Sequence, residues 1–379
     1  MIRQEKGFSL VELMITMVIF VIVIAAVSQI FSGLLTQFKQ QSKIAETNIE
    51  GIVGLEMMRQ DVERAGYGIP WILPATAAAY NEVPPPNTTQ GYAYNECAGA
   101  CSAAPKAVVV GSGAGWNGAD ELVIRATNVA TNAPAQAWTI LPFTNVPIDG
   151  LSGETLAGTD RVIVLSPGNS TANAKTLVVR SDDNTVWSTT YNTMNATNTT
   201  ANFAPPDTTR TFVIYGVAPA DGTNPLRMPF NRTDYYISNS DVPSRCAANT
   251  GVLMKSVLSQ ASGNRTGFLP LLDCVADMQV IFQLDTDADG IINSQTDTVA
   301  GLTAQQLRAQ LMEIRVYILA HEGQRDPNFT YTPSTPNTVT VGEFGVGRDF
   351  NFATAGITNW QNYRWKIYTI VVTPKNLKS

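Results

Sequence analysis

The stretch that decides the fold is residues 1–35, MIRQEKGFSLVELMITMVIFVIVIAAVSQIFSGLL. A short charged head containing Arg3 and Lys6 ends at Gly7, and an apolar run then extends from Phe8 to Val27. A helix of roughly 20 apolar residues crosses the hydrocarbon core of a bilayer. Because the positive residues precede the run, the positive-inside rule predicts a cytoplasmic N-terminus and an extracytoplasmic remainder.

Glu12 is the anomaly within this apolar run. A carboxylate inside a membrane helix costs about 2.5–3.5 kcal/mol on insertion scales, so a compensating partner is expected. If the chain were cut between Gly7 and Phe8, the new ammonium group of Phe8 would lie level with Glu12 of a neighbouring chain. We therefore predict that Glu12 pairs with the N-terminus of an adjacent subunit during assembly.

The residues around Glu12 resemble the leader of type IV prepilins and pseudopilins. The matching residues are Lys6, Gly7, Phe8, Ser9, Leu10, Val11, Glu12 and Leu13. In that family a prepilin peptidase cuts after the glycine and methylates the new N-terminal phenylalanine. The resemblance implies that residues 1–7 are a leader, removed between Gly7 and Phe8, and that Phe8 is N-methylated. A secretory signal is instead cut after its apolar segment and loses it. The rival interpretation is an ordinary single-span anchor with a chance glutamate.

One helix can continue beyond the membrane segment, because no proline occurs between Met1 and Ile69. Apolar residues then recur in steps of three or four at Ala45, Ile49, Ile52, Leu55, Met58, Val62 and Ala65. This stripe predicts that the second half of the helix packs against a folded domain. We predict a helix over residues 8–66, with residues 8–35 forming the membrane-spanning or fibre-core part. Gly33, Gly51 and Gly54 are expected to weaken it.

The sequence after the helix predicts a β-rich globular domain over residues 67–379 with loop insertions, which makes the fold class α+β. Residues 70–106 and 184–209 are interpreted as a loop and a low-complexity insertion. Short β-branched runs indicate the strands. They are expected at 107–110, 121–125, 162–164, 176–180, 211–217, 234–238, 251–256, 278–283, 313–319 and 363–373.

The composition favours an extracytoplasmic domain. Charged residues make up 15% of the chain, against about 25% in typical globular proteins. The formal net charge is −6 and no basic run occurs. Direct binding of nucleic acid is therefore not expected.

The four cysteines, Cys97, Cys101, Cys246 and Cys274, all follow the membrane segment. An oxidising compartment favours disulfides, and four cysteines allow three connectivities. The sequential pairing, Cys97–Cys101 with Cys246–Cys274, is the simplest. A zinc site is the alternative, although the C-x₃-C spacing at residues 97–101 lacks a C-x₂-C partner.

The sharpest internal motif is DTDADGIIN at residues 285–293. Three carboxylates at alternate positions converge when such a chain curls, and the glycine permits a sharp turn, as in the first half of an EF-hand calcium loop. Thr296 stands where the bidentate glutamate of that loop would be. The predicted calcium ligands are the side chains of Asp285, Asp287 and Asp289, the backbone carbonyl of Ile291, Asn293 directly or through water, and the late carboxylate of Asp297. The alternative is a plain Asp/Gly turn.

No catalytic set is apparent in the sequence. His321 is the only histidine, so a His-dependent triad would rest on it alone. It follows an apolar strand, and we predict an exposed histidine at the strand end. We therefore predict that the protein is not an enzyme and that it uses no cofactor other than calcium.

Further islands of the sequence are similar to PilW-type minor pilins: residues 57–68, 275–280, 363–368 and 373–377. The resemblance implies a minor pilin that primes and assembles a type IV pilus, sits at its tip, and serves adhesion and twitching motility. The implied partners are other minor pilins, the major pilin, prepilin peptidase and a large tip adhesin. The implied location is the inner membrane before assembly and the fibre afterwards. The alternatives are a J-type pseudopilin of a type II secretion system and a membrane-anchored extracytoplasmic enzyme.

Overall fold

A computed structural model describes residues 9–377 except 83–93, 98, 145, 149–150, 169–174, 193–202, 221–224 and 344. The predicted cleavage site, Gly7 and Phe8, lies outside the described residues. One long helix leads into a domain built of antiparallel sheets. The predicted α+β fold class is therefore confirmed.

Helix α1 extends from Leu10 to Glu63, within the predicted range, and continues through Gly33. Its 54 residues correspond to a length of about 80 Å at 1.5 Å per residue. Ser9 is the N-cap and Arg64 the C-cap. The chain turns after the helix at Gly66, which has a φ of +84°. At a positive φ glycine carries no steric penalty, which makes it suitable for this turn.

The first half of α1 is apolar and exposed. It is long and apolar enough to cross a membrane, and none of that segment is buried against the described domain. The large apolar side chains from Leu10 to Leu35 are all at least 44% exposed. Such a surface is unstable in water and requires lipid or other helices around it.

The predicted apolar stripe on the second half of α1 is only partly correct. Leu55, Met58, Val62 and Ala65 are buried, but Ile49 and Ile52 are each 65% exposed. The glycines explain the difference, because a Cβ placed on Gly54 would lie 2.1 Å from the carbonyl oxygen of Leu271. The face that enters the domain is therefore the one that carries Gly51 and Gly54, and it turns the two isoleucines outward.

The described residues contain fifteen strands and two further short helices. In chain order they are β1 (Val108–Gly111), β2 (Glu121–Ala126), α2 (Ala133–Gln136), β3 (Trp138–Pro142), β4 (Arg161–Ser166), β5 (Thr176–Leu177), β6 (Ser188–Thr190), β7 (Thr211–Ala218), β8 (Asn231–Ser238), β9 (Gly251–Leu258), β10 (Arg265–Leu284), β11 (Ser294–Thr296), α3 (Ala304–Gln310), β12 (Leu311–Glu322), β13 (Thr338–Glu343), β14 (Val346–Asn351) and β15 (Arg364–Val372). Every predicted strand overlaps one of these. Strand β5 ends three residues earlier than predicted, while β3, β6, β11, β13 and β14 were not predicted.

The strands form three antiparallel sheets. The large sheet has the order β1-β2-β8-β9-β10-β12-β15, with β11 paired to the end of β10. A five-stranded sheet has the order β3-β7-β4-β5, with β6 paired to β4, and β13 and β14 form a separate hairpin. Helix α1 packs on the large sheet against β10, β12 and β15. The main apolar core lies between this helix and the sheet.

Buried ion pairs fix the described ends of the 70–106 loop to the large sheet. Glu82 is 3% exposed, and its Oε2 lies 2.9 Å from Arg125 Nη2 and 2.7 Å from Arg232 Nη1. Both arginines are fully buried. Because removing one member of a buried ion pair is strongly destabilising, these contacts tie a segment without regular structure to β2 and β8.

Candidate functional site

The N-terminal end of α1 carries the predicted assembly residue in its first turn. Glu12 Oε2 accepts a hydrogen bond from the Ser9 backbone N–H at 3.0 Å, and Ser9 Oγ accepts one from the Val11 N–H at 3.3 Å. This reciprocal pair is a capping box, which satisfies helix amides that lack intrahelical partners. A carboxylate in the first turn also interacts favourably with the positive end of the helix dipole. In the single chain Glu12 therefore binds the end of its own helix, one turn from the predicted new N-terminus.

The domain end of α1 is fixed by a buried charge, Asp61. Asp61 is 4% exposed, and its Oδ2 accepts hydrogen bonds from Lys255 Nζ of β9 and, at 2.6 Å, from Tyr235 Oη of β8. Burial and the neighbouring Asp61 raise the pKa of Tyr235 well above its usual value. Three residues distant in sequence converge here, so helical periodicity alone could not identify the contact.

The chain after the last strand returns to the same end of the helix. The Lys375 backbone N–H donates to the Glu63 carbonyl oxygen at 3.0 Å, and the Lys375 side chain forms an ion pair with Glu63. Together with Asp61 this ties the last two turns of α1 to both the sheet and the C-terminal segment. The arrangement holds an exposed apolar helix rigidly on a folded domain.

The Asp-rich loop connects β10 to β11, so its flanks are strands and not the paired helices of an EF-hand. One carboxylate oxygen from each of Asp285, Asp287 and Asp289 lies within 4.8 Å of the others. The side chain of Asp285 is buried, whereas Asp287 and Asp289 are exposed. Left-handed backbone at Ala288 (φ +63°) and Gly290 (φ +86°) curls the loop. The structure thus brings together three of the predicted ligands.

Two of the other predicted ligands, Asn293 and Asp297, bind elsewhere. Asn293 Oδ1 accepts hydrogen bonds from the backbone N–H and the hydroxyl of Thr286, both at 3.0 Å. Asp297 Oδ2 accepts one from Ser112 Oγ at 3.0 Å. Both oxygens of Asp285 also accept amide hydrogen bonds, from Ala288 at 2.7 Å and Gly290 at 2.8 Å. A cation at this loop would have to compete with these bonds for its ligands.

The cysteines form two disulfides with the simplest of the three connectivities, Cys97–Cys101 and Cys246–Cys274. The first closes a short turn in the 70–106 loop. The second joins the segment before β9 to the long strand β10. Both are consistent with an oxidising compartment.

The prediction of an exposed His321 is wrong. This histidine is 1% exposed, and its Nε2 accepts a hydrogen bond from the Ala247 N–H at 2.9 Å. Its ring packs against Tyr363 and Trp365, with centroid distances of 4.4 and 5.1 Å. Burial lowers its pKa to about 3, so the imidazole is neutral at physiological pH. It lies on β12 between β10 and β15, under an aromatic cluster that depends on contacts distant in sequence.

Comparison with known proteins identifies the N-terminal region. Residues 2–28 match the family model described as the prokaryotic N-terminal methylation motif. Neither curated proteins nor solved structures yield a match. The motif is that of type IV prepilin-like proteins, and it covers the predicted cleavage site, Glu12 and most of the apolar half of α1.

Proposed function

We propose that this type IV prepilin-like protein is a PilW-type minor pilin that takes part in priming and assembling a type IV pilus and is located at its tip. The observation that carries the proposal is the division of α1 into two halves. The half within the matched motif is apolar and exposed, and the other half is docked on a β-rich domain. A subunit that must leave the membrane for a fibre core needs both halves on one continuous helix.

The transfer from membrane to fibre follows from the surface of the helix. In the inner membrane lipid covers the apolar half of α1, and in a fibre the helices of neighbouring subunits would cover it. The apolar side chains exchange contacts with lipid for contacts with neighbouring helices, so their transfer costs little. The unfavourable contribution comes from Glu12, whose carboxylate lies within the membrane segment. After cleavage the Phe8 ammonium of a neighbour would compensate that carboxylate.

This pairing model gives a specific expectation for Glu12 variants. Glu12→Gln removes the charge from the lipid phase, so membrane insertion should be unchanged or improved. Incorporation into sheared fibres should fall strongly, because the ammonium group of the neighbour loses its ionic partner. Thr16→Val, one turn further along the same helix, is the matched control and should assemble normally. Normal incorporation of Glu12→Gln would contradict the pairing model.

The proposed partners are the other minor pilins and the major pilin through α1, prepilin peptidase as the processing enzyme, and a large tip adhesin. No catalytic activity forms part of the proposal. A J-type pseudopilin would share the motif and the helix but would act in protein secretion. Deletion of the gene separates the two functions, because loss of surface fibres with normal secretion supports the minor pilin, and normal fibres with lost secretion supports the pseudopilin.

We also propose that the loop between β10 and β11 binds calcium. The supporting observation is the convergence of Asp285, Asp287 and Asp289, whose ligand atoms lie within 4.8 Å of one another. Like charges at that separation repel each other, and a divalent cation with oxygen ligation at about 2.3–2.6 Å would remove the repulsion. Thr296 stands where the bidentate glutamate of an EF-hand loop would be. We therefore expect a calcium dissociation constant of roughly 10⁻⁴–10⁻³ M, as in extracellular modules.

A further inference from the structure

A groove of about 1020 Å³ lies between the segment that follows α1 and helix α3. Its walls include Trp71, Lys106, Arg308 and residues 300–304. Trp71 is held in place by its backbone N–H, which donates to the Lys175 carbonyl oxygen at 2.8 Å. The groove is therefore built from four parts of the chain that are far apart in sequence.

Two cations lie against the single indole ring of Trp71. Arg308 Cζ is 4.7 Å and Lys175 Nζ 4.9 Å from the ring centroid. Neither cation forms an ion pair with any residue that the structure describes, and residues 169–174, which precede Lys175, contain no Asp or Glu. Two like charges on one ring thus have no ion-pair partner among the described residues, in a chain whose net charge is −6.

Two hydrogen-bond donors of the groove also lack a partner among the described residues. Among the described atoms, Trp71 Nε1 and Arg308 Nη1 are buried without an acceptor. Burial lowers the pKa of Arg308, and burial together with the charge of Arg308 lowers that of Lys175. Buried polar groups in native proteins are nearly always satisfied, and a cation left without a partner is costly.

The two acidic residues that line the groove do not supply the missing acceptor. Glu96 Oε2 accepts from the Lys106 backbone N–H at 3.1 Å and lies 3.6 Å from Arg125 Nη1. Both oxygens of Asp285 accept amides of their own loop. No described residue therefore supplies an acceptor for Arg308 Nη1 or Trp71 Nε1.

We propose that the Trp71–Arg308 groove is a binding site for a ligand that presents an oxyanion, namely a carboxylate, sulfate or phosphate group. The guanidinium fork matches the geometry of such groups, and Lys175 adds positive charge on the same indole ring. Lys106 is already paired with Glu96, with 3.9 Å between Nζ and Oε1. The volume exceeds that of an inorganic anion, so an acidic sugar fits as well as a free ion. This site does not depend on the proposed role in a pilus.

The test is isothermal titration calorimetry of the full-length chain in detergent, at constant ionic strength set with sodium chloride. The probes are sodium glucuronate, sulfate and phosphate, with neutral glucose as the control ligand. Saturable binding of glucuronate but not of the inorganic ions identifies an acidic sugar, and equal binding of all three identifies a simple oxyanion site. Both results support the proposal, and no saturable heat with any probe overturns it.

Variants assign the binding to the groove. Arg308→Gln should weaken binding about 10-fold or more, since hydrogen bonds to charged groups are the strong ones. Arg308→Lys should give an intermediate loss, and Trp71→Phe, which keeps a ring but loses the N–H, a several-fold loss. Arg180→Gln is the matched control, because that arginine is ion-paired with Asp182 outside the groove. Equal affinities of wild type and Arg308→Gln would contradict the assignment.

A stability readout separates binding from folding. Without ligand, Arg308→Gln should melt at the same temperature as wild type or higher, because it removes a partly buried charge that has no ion-pair partner among the described residues. Saturating ligand should raise the melting temperature of wild type but not of this variant. A large fall in the melting temperature of the unliganded variant would show that Arg308 is satisfied within the protein, and would overturn the proposal.

Discussion

The contact between α1 and β10 makes the effect of Gly54→Ala calculable. A Cβ at this position would lie 2.1 Å from the Leu271 carbonyl oxygen, 2.7 Å from its carbonyl carbon and 2.8 Å from its Cα. All three atoms belong to the backbone of a strand in the middle of the large sheet, so the helix itself must move away. The added methyl group therefore opposes the packing of Leu55 and Met58, which is fully buried.

Two effects of opposite sign determine the magnitude. Replacing glycine by alanine inside a helix stabilises it by about 1 kcal/mol, whereas overpacking a well-packed interface costs about 1–3 kcal/mol and occasionally more. Because strand backbone yields less than a side chain, we expect the upper part of that range and a net destabilisation of about 1–2 kcal/mol. At about 2–4 °C per kcal/mol for a domain of this size, the melting temperature should fall by several degrees.

Gly33→Ala is the matched control, since nothing lies within 4 Å of a Cβ at that position. It should leave the melting temperature unchanged or raise it slightly. Gly51→Ala should be intermediate, because its Cβ would meet the movable Leu272 Cδ1 at 2.9 Å. The assay is thermal unfolding of the full-length protein in detergent, followed by circular dichroism. A Gly54→Ala protein as stable as Gly33→Ala would refute the close helix–strand contact.

Three further predictions concern the outer domain. Burial raises the pKa of Asp120 to about 7 and that of Asp277 to about 6, so their stabilising contribution is fully present below pH ~4 and is lost as the pH rises through 6 to 7. Urea unfolding of wild type should therefore show a greater loss of stability between pH 5 and pH 8 than that of Asp120→Asn, and equal losses would contradict the shifted pKa. Calcium at 100 times its dissociation constant should stabilise wild type by about 2.7 kcal/mol and Asp287→Ala by nearly nothing, and identical melting of wild type in calcium and in chelator would reduce the loop to an acidic turn. Replacing Cys246 and Cys274 together by serine should lower the free energy of unfolding by about 2–5 kcal/mol, and an unchanged urea midpoint would show that this disulfide does not stabilise the domain.

Local sequence patterns predicted the helices and strands that are determined by residues close together in the sequence. The prepilin-like motif and the uninterrupted helix could be predicted because each depends only on residues that are close together in the sequence. Strands β2 and β12 have apolar runs because both lie inside the large sheet. Helix α3 begins with a capping box between Thr303 and Gln306, which are three residues apart. Each of these features is decided within about a dozen residues.

Contacts between distant segments could not be predicted in the same way. Helical periodicity predicted that Ile49 and Ile52 are buried. They are exposed, because the helix contacts β10 through the face that carries Gly54. Asp61 could not be distinguished by sequence from a solvent-exposed residue of the helix, because its partners Lys255 and Tyr235 are distant in the chain. The hairpin of β13 and β14 has glycines at 342, 345 and 347, which mask a strand pattern. The Trp71–Arg308 groove likewise could not be predicted, because the residues that line it are far apart in the sequence.

The most direct test of the proposed function is N-terminal mass spectrometry of the protein in sheared surface fibres. We expect peptides that begin at Phe8 and carry one N-terminal methyl group, and we expect the protein to be lost from fibres when Gly7→Leu blocks cleavage. A chain recovered from fibres with Met1 through Gly7 still attached, or a Gly7→Leu protein that assembles as wild type does, would contradict it.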